Sequence, residues 1–283
     1  MNKIGFNVLA WSAGMSNDLF PIIERLKTIG YDGVEFFVGS PDEAAYREVG
    51  RFCSNIGLET TTVTVVSPDA NPISESAAVR AKGLERIKWA IDRSHDLGSQ
   101  VLCGPFHSAH AHFEAHEPFE DEYKWSAEVL YQAGEYAQQA NIILTPEALN
   151  RFECYLCNTM SQLSKLITMV NHPNVQAMFD THHANIEEKR YHAAIQTIAP
   201  FLRHVHISEN DRGTPGDGHV PFDDAFAALA SVNYKGWLTI EAFSRNDPGF
   251  ANAINVWREY NDPWHIAENG LKFIKEMGAK YDL

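Results

Sequence analysis

The chain has 283 residues, 45% of them hydrophobic, and 37 acidic against 23 basic side chains give a formal net charge of −14. This apolar content can bury the core of one large α/β domain. The negative charge argues against binding a nucleic-acid backbone, which needs surplus lysine and arginine. No apolar run reaches the roughly 18–20 residues of a membrane span. Four cysteines are few for a secreted scaffold, so we expect a reducing, cytoplasmic environment.

Short apolar runs alternate with amphipathic segments along the chain, and the first run is interpreted as a strand rather than as a signal peptide. The runs predict strands at 3–8, 33–38, 59–66, 99–104, 141–146, 175–180, 203–208 and 237–242. The segments predict helices at 17–29, 42–56, 75–97, 123–139, 159–170, 188–198, 222–232 and 264–279. Such regular alternation implies parallel strands joined by crossover helices.

Eight strand-helix units of about 35 residues each predict an α/β fold, a single (β/α)8 TIM barrel with its active site at the carboxyl ends of the strands. We expect this barrel to be one domain over 1–283. The alternative is an open, doubly wound sheet, which predicts a glycine-rich fingerprint after the first strand. The segment GFNVLAWSAG lacks G-x-G-x-x-G, so the barrel is favoured.

Four consecutive apolar runs in the second half of the chain each deliver one possible metal ligand at or near the carboxyl end. These ligands are Glu147, Asp180, His206 and Glu241, which are separated by 33, 26 and 35 residues. A lone acid at a strand end is usually a helix cap or a solvated charge, but four on consecutive units indicate one site. Three carboxylates and an imidazole suit Mn2+, Co2+ or Mg2+ better than Zn2+, because the set has no thiolate.

Other metal-binding side chains have weaker patterns. After the fourth predicted strand, HSAHAHFEAH carries four histidines that form either a second metal site or, as we favour, a polar rim of the pocket: His107, His110, His112 and His116. His204 shares a strand face with His206, and we expect it to be a buried, hydrogen-bonded histidine. Cys154-x-x-Cys157 has no second cysteine pair, so neither a zinc site nor a redox role is favoured.

Longer motifs carry a family resemblance that extends over nearly the whole chain. The segments are PEALNRFECYLCN, FDTHHANIEE, HVHISENDRGTPGDGHVPFDDAFAAL, TIEAFSR and the late INVWRE. They resemble the ketose 3-epimerases of the xylose-isomerase-like barrel superfamily, the D-tagatose, D-psicose (D-allulose) and L-ribulose 3-epimerase group. The resemblance implies an isomerase that holds one divalent ion, Mn2+ first, and inverts C3 of a free ketose. Glu147 and Glu241 would be its acid/base pair, acting through an enediolate across C2 and C3.

The resemblance also implies contacts with substrate. Glu153, His183 and Arg212 match residues that hydrogen-bond the O1 and O2 end of the sugar. Asn7 and His110 stand where the family often has aromatic side chains, and these departures predict a polar distal wall and leave the sugar open. We further expect a homodimer or homotetramer and no nucleic-acid or membrane partner.

Several alternatives remain open from the sequence. An aldose–ketose isomerase of the hydroxypyruvate type, an inosose-type dehydratase or a sugar lyase would keep the same metal acids. A DNA-repair endonuclease on this barrel would need a basic groove, and a non-catalytic sugar-binding barrel would not need both Glu147 and Glu241. The loop RGTPGDGH has glycines that could hold a phosphate, but Asp217 lies among them, so a free sugar is favoured.

Overall fold

Eight parallel strands form the centre of the computed structural model, which describes residues 2–283. They are β1 Lys3–Asn7, β2 Gly33–Phe37, β3 Glu59–Val63, β4 Val101–Gly104, β5 Ile143–Pro146, β6 Ala177–Asp180, β7 Leu202–Ile207 and β8 Trp237–Ile240. Their order in the sheet is β5-β4-β3-β2-β1-β8-β7-β6. A parallel bridge between Leu144 and Val175 joins the β5 and β6 edges. The predicted TIM barrel is therefore confirmed.

Helices surround the barrel. They are α1 Phe20–Ile29, α2 Glu43–Asn55, α3 Ala77–Asp96, α4 Glu120–Gln139, α5 Met160–Val170, α6 Thr181–Glu187, α7 Tyr191–Ile198, α8 Phe222–Ser231, α9 Pro248–Ala253 and α10 Pro263–Tyr281. Every predicted helix is present, and the structure adds α6 and α9, which follow β6 and β8. None of the helices within residues 2–283 combines the length and hydropathy of a membrane-spanning segment.

Two predicted strands end more than one residue before their apolar runs do. The third ends at Val63, and the eighth ends at Ile240. β8 pairs with β1 only as far as Phe6 opposite Ile240, because β1 then turns into a 3-10 helix at Val8–Ala10. Glu241 therefore lies just beyond its strand rather than within it.

The two faces of the strands differ in polarity. Outward side chains such as Phe6, Phe36 and Leu102 are fully buried in the apolar layer between strands and helices, where each contributes about 1.5–3 kcal/mol. Inward side chains meet across the barrel, where Glu35 of β2 lies 2.7 Å from His206 of β7. The carboxyl-terminal half of the barrel interior is thus polar, and this polar layer lies directly beneath the strand ends.

The end of β4 depends on a glycine. Gly104 has φ +120°, and a Cβ there would lie 2.2 Å from the carbonyl oxygen of Thr64. The carbonyl oxygen of Gly104 also accepts a hydrogen bond from the backbone N–H of Glu147, at 3.0 Å. Gly104 therefore permits the close approach of β4 to β3 and also helps to position Glu147.

We predict that Gly104→Ala lowers the free energy of unfolding by at least about 3 kcal/mol, because backbone strain and a clash with backbone act together. Gly98→Ala is the matched control, since Gly98 has φ +77° but open space around its Cβ position. Gly98→Ala should lower the free energy of unfolding by only about 1–2 kcal/mol, because alanine is strained in the left-handed backbone region. Chemical denaturation of both variants measures the difference, and equal losses would contradict the packing argument.

Candidate metal centre

The four predicted ligands come together at the carboxyl end of the barrel. Glu147 directly follows β5, Asp180 ends β6, His206 is the penultimate residue of β7, and Glu241 directly follows β8. One carboxylate oxygen or ring nitrogen from each lies within 4.8 Å of the others, and all four side chains are buried. The structure thus places three carboxylates and one imidazole around a single small space.

Two atoms that face this space have no hydrogen-bond partner. His206 Nδ1 lies 3.5 Å from Asp180 Oδ2 and 3.4 Å from Glu241 Oε2 but makes no hydrogen bond, and Glu147 Oε1 is also unpaired. A buried polar atom without a partner costs about 1–3 kcal/mol. A bound cation would satisfy both atoms, and three oxygens with one nitrogen suit Mn2+, Mg2+ or Co2+. The residues present therefore fit a divalent cation.

The charges in this space are not balanced by the side chains alone. Burial, followed by the nearby charges of Glu241 and Asp180, raises the pKa of Glu147 well above its ordinary value. Arg212 offsets part of the negative charge: its Nη1 donates to Glu241 Oε2 at 2.7 Å and to Asp180 Oδ2 at 3.3 Å. Although burial opposes it, the Arg212 charge helps to lower the pKa of Asp180. Although burial opposes it, the charges of Glu35 and Glu241 likewise raise the pKa of His206 well above its ordinary value. A bound cation would take the place of the protons that these shifts favour on Glu147 and His206.

Arg212 is held by a loop that folds around a buried acid. Arg212 itself has a left-handed φ of 63°. Glu209 accepts hydrogen bonds from the backbone N–H groups of Gly216 at 2.9 Å, His219 at 3.1 Å and Val220 at 3.0 Å. The sequence analysis missed Glu209, although the glycines of the following RGTPGDGH segment indicated a tight loop. Because Glu209 occupies these N–H groups, they cannot bind a phosphate.

His183 and Arg212 lie against each other beside the predicted ligands. Both ring nitrogens of His183 face donors, the backbone N–H of Asn150 at 3.1 Å from Nδ1 and the guanidinium of Arg212 at Nε2, whereas a neutral ring accepts at only one nitrogen. Burial lowers the pKa of His183 to about 3, which keeps the ring neutral. Its Nε2 lies 2.9 Å from Arg212 Nη2 and 3.8 Å from Glu147 Oε1. An imidazole and a guanidinium therefore converge next to the predicted ligands.

A cavity of about 260 Å³ opens above the predicted ligands. Most of the predicted active-site side chains line it: His110, Glu147, Glu153, His183, Arg212 and Glu241. The remaining wall is largely apolar and includes Leu9, Phe37, Val63, Phe243, Phe250 and Val256. Asn255 and Tyr260 also belong to the lining, so the polar distal wall stays a prediction.

Asn7, predicted to contact substrate, does not line the cavity. Its side chain is buried inside the barrel, with Nδ2 3.0 Å from Glu35 Oε1 and 3.4 Å from Glu241 Oε1. Strand alternation turns Asn7 inward, and the 3-10 helix that follows brings Leu9 to the cavity wall instead. Asn7 therefore supports the predicted metal ligands from below.

The four histidines after β4 do not act as one group. The side chain of His107 is buried, with Nε2 2.8 Å from the backbone carbonyl oxygen of Glu147, and His110 lines the main cavity. His112 and His116 line a different cavity. The structure thus favours a supporting and rim role for this segment over a second metal site.

Glu35 is the second acid that the sequence analysis missed. It is fully buried in β2, with Oε1 2.7 Å from His206 Nε2 and Oε2 2.9 Å from His204 Nε2. His204 is buried, as expected, but the expected hydrogen bond is wrong: neither ring nitrogen makes one, although Glu35 Oε2 is close. The available signal was a single acid in the otherwise apolar run GVEFF.

Comparisons with known proteins agree with this architecture. A family model described as a xylose isomerase-like TIM barrel matches residues 23–277. An L-ribulose 3-epimerase of Methylomonas sp. is 30% identical over 278 residues, covering 97% of this chain and 97% of that protein.

Two solved structures are similar over almost the full length. The structure of an L-ribulose 3-epimerase has a TM-score of 0.93 at 28% identity and covers 100% of this chain and 96% of that one. The structure of a D-allulose 3-epimerase from Methylomonas sp., in complex with D-allulose, has a TM-score of 0.90 at 29% identity and covers 98% and 97%.

We predict that Mn2+ raises the melting temperature of metal-free protein, because a ligand that binds only the folded state adds about 2.7 kcal/mol at 100 times its Kd. Asp180→Asn should remove most of this rise while retaining the cap of α6, since asparagine is also a good N-cap. Asp217→Asn, the same substitution at an exposed position, is the control. Differential scanning fluorimetry with Mn2+ measures the shift. A wild-type rise in Asp180→Asn would contradict the ligand assignment.

Proposed function

Because the chain belongs to the xylose isomerase-like TIM barrel family, we propose that it is a divalent-metal-dependent epimerase that inverts C3 of a free ketose. The names of its full-length relatives support this reaction class, and one of them is solved with D-allulose. The observation that carries the proposal is the convergence of Glu147, Asp180, His206 and Glu241 within 4.8 Å beneath a cavity.

The four converging residues would hold the cation, with Mn2+ as the expected ion and Co2+ or Mg2+ as alternatives. When bound, the cation supplies Lewis acidity that polarises the ketone and the neighbouring hydroxyl group of the sugar, so that the C3 hydrogen becomes more acidic. The three carboxylates and the imidazole suit these cations, and no thiolate is among them.

Glu147 and Glu241 are the proposed acid/base pair. One glutamate removes the C3 proton, and the C–H electron pair forms the C2–C3 double bond of an enediolate. The other glutamate delivers a proton to C3 from the opposite face, which inverts the centre. A single base would return the proton to the face it left. The two glutamates follow β5 and β8, separate strands of the barrel, as two opposed bases require.

His183 and Arg212 are the proposed stabilisers of the enediolate oxygens. Preorganised donors aimed at developing negative charge are usually the largest electrostatic contribution to such reactions. His183 offers a neutral imidazole, and Arg212 offers a charged guanidinium beside it. Glu153 lines the same cavity and would accept a hydrogen bond from a sugar hydroxyl group.

The charge of the cavity supports an unphosphorylated substrate. Arg212 is the only lysine or arginine among the lining residues, and Glu241 and Asp180 already engage it. Glu147, Glu153 and Glu241 line the same space. A phosphate dianion would meet these acids without a free cation to pair with, and like charges brought this close cost several kcal/mol.

We predict that Mn2+-loaded protein in D2O incorporates deuterium at C3 of at least one of D-fructose, D-tagatose, D-psicose and L-ribulose, with the C3 epimer as product. Proton transfer through a carboxylate exchanges with solvent, so deuterium at C3 follows from the mechanism. NMR detects both events. Deuterium at C1 with an aldose product would indicate an aldose–ketose isomerase instead, and no exchange with any of these sugars would contradict the proposed substrate class.

We also predict that Glu147→Gln and Glu241→Gln each lower kcat by about 10³-fold or more, because each removes one of the two proton-transfer groups. Glu128→Gln, an exposed position on α4, is the control and should leave kcat unchanged. Circular dichroism checks that the fold persists, and a Mn2+ titration separates loss of metal from loss of the base. Full activity in either glutamine variant at saturating Mn2+ would exclude the two-base mechanism.

A further inference from the structure

Glu35 lies behind the predicted metal ligands rather than among them. It sits in the middle of β2, and its side chain points across the barrel interior toward β7. Its two oxygens are fully engaged: Oε1 accepts from His206 Nε2 and Asn7 Nδ2, and Oε2 accepts from Thr61 Oγ1 at 2.9 Å. The side chain does not line the cavity and cannot touch a substrate there.

We propose that Glu35 is a positioning residue of the metal centre, which determines through His206 and Asn7 how the ligands are presented to the cation. This inference rests on the proposed function, since it concerns the same centre. Glu35 is not a catalytic residue, because it contacts neither the cavity nor the reacting atoms.

The first part of the argument concerns the two nitrogens of His206. A carboxylate can only accept a hydrogen bond, so the contact of 2.7 Å from Glu35 Oε1 requires the hydrogen on Nε2. In the neutral ring this leaves the lone pair on Nδ1, the unpaired atom that faces Asp180 and Glu241. Carboxylates that hold a metal-bound histidine in this way select the tautomer and the ring orientation, and increase ligand basicity.

The second part concerns Asn7. Its Oδ1 accepts a hydrogen bond from the backbone N–H of Leu9 at 2.9 Å, so the amide orientation is determined and Nδ2 is the donor. That nitrogen lies 3.0 Å from Glu35 Oε1 and 3.4 Å from Glu241 Oε1. Glu35 thus orients one ligand directly and a second ligand, which is also a proposed base, through a neutral amide.

Two other roles for Glu35 compete with this one. It could be a structural partner of His204, whose Nε2 lies 2.9 Å from Oε2. It could also belong to a separate cation site, since Glu35, Cys103, His204 and His206 place ligand-type atoms within 4.8 Å of one another. The contact of 2.7 Å between Glu35 Oε1 and His206 Nε2 favours a shared hydrogen over a cation between them.

The test measures Mn2+ binding to metal-free protein in the absence of sugar, by the electron paramagnetic resonance signal of free Mn2+. Glu35→Gln keeps the shape of the side chain but removes its charge and one of its acceptors. We expect a Kd for Mn2+ that is raised 10- to 100-fold, with one ion still bound per chain. Activity should recover largely when Mn2+ is raised to saturation, a response that a purely structural role would not produce. Thr61→Val is the matched control: it removes one hydrogen bond to Glu35 without touching His206, and its Kd should stay within about threefold of wild type.

Several outcomes would overturn the proposal. An unchanged Kd in folded Glu35→Gln would make Glu35 a structural partner of His204. Two ions bound per wild-type chain, with one lost in Glu35→Gln, would identify the buried cluster as a cation site. Should Glu35→Gln not fold, Glu35→Asp keeps the charge but withdraws the carboxylate by one methylene, and an unchanged Kd there would be equally decisive.

The binding measurement also separates this inference from the proposed function. Wild-type protein that binds Mn2+ and responds to Glu35→Gln, yet epimerises no ketose, would overturn the function and leave the role of Glu35 intact. An active wild type with unchanged Mn2+ affinity in Glu35→Gln would overturn the role of Glu35 and leave the proposed function intact. Wild type that binds no Mn2+ would overturn both.

Discussion

Three carboxylates and one imidazole nitrogen share a buried space within 4.8 Å of one another, and the surrounding structure depends on how their charge is compensated. Burying an ion without a partner costs several kcal/mol. Arg212 supplies one positive charge, and a loop folded around Glu209 holds it in place. The unpaired atoms of His206 and Glu147 mark the compensation that the side chains themselves do not provide. A divalent cation would complete this arrangement without rearrangement of the four side chains.

The barrel interior is adapted to this centre. TIM barrels usually fill their interior with branched apolar side chains. Here the layer beneath the strand ends contains Asn7, Glu35, Thr61 and His204, all buried and most of them hydrogen-bonded to one another. Asn7 of β1 and Glu35 of β2, two strands that supply no predicted ligand, lie in contact with the predicted ligands at the ends of other strands. Burying these polar groups costs free energy, but a hydrogen-bonded network of this kind holds its members in one geometry. A metal centre needs ligands that are held in this way.

The cavity above the centre has a polar floor and a largely apolar wall. His183, Arg212 and the glutamates at the floor can form directional hydrogen bonds, whereas Leu9, Phe37 and Phe243 on the wall can only pack against a ligand. Under the proposed function, donors and charges would hold the reacting end of a sugar, and the apolar wall would hold its distal end by fit. Discrimination between ketoses would then depend on the volume and outline of the apolar wall, which is built from strand ends, loops and α9.

The sequence by itself determined the barrel and the convergence of the four strand-end side chains that we predict to be ligands. Both follow from local periodicity, since each apolar run and each terminal acid is recognisable within a few residues. It could not identify the role of Glu35, because a lone acid in a strand is equally compatible with a solvent-facing position. It also placed Asn7 in the pocket, whereas the 3-10 turn after β1 substitutes Leu9 at the wall. Only closure of the barrel decided these points, because it brings β2 across from β7. Glu35 and His206 are 171 positions apart, and their contact depends on the stagger and tilt of the strands rather than on a local sequence pattern.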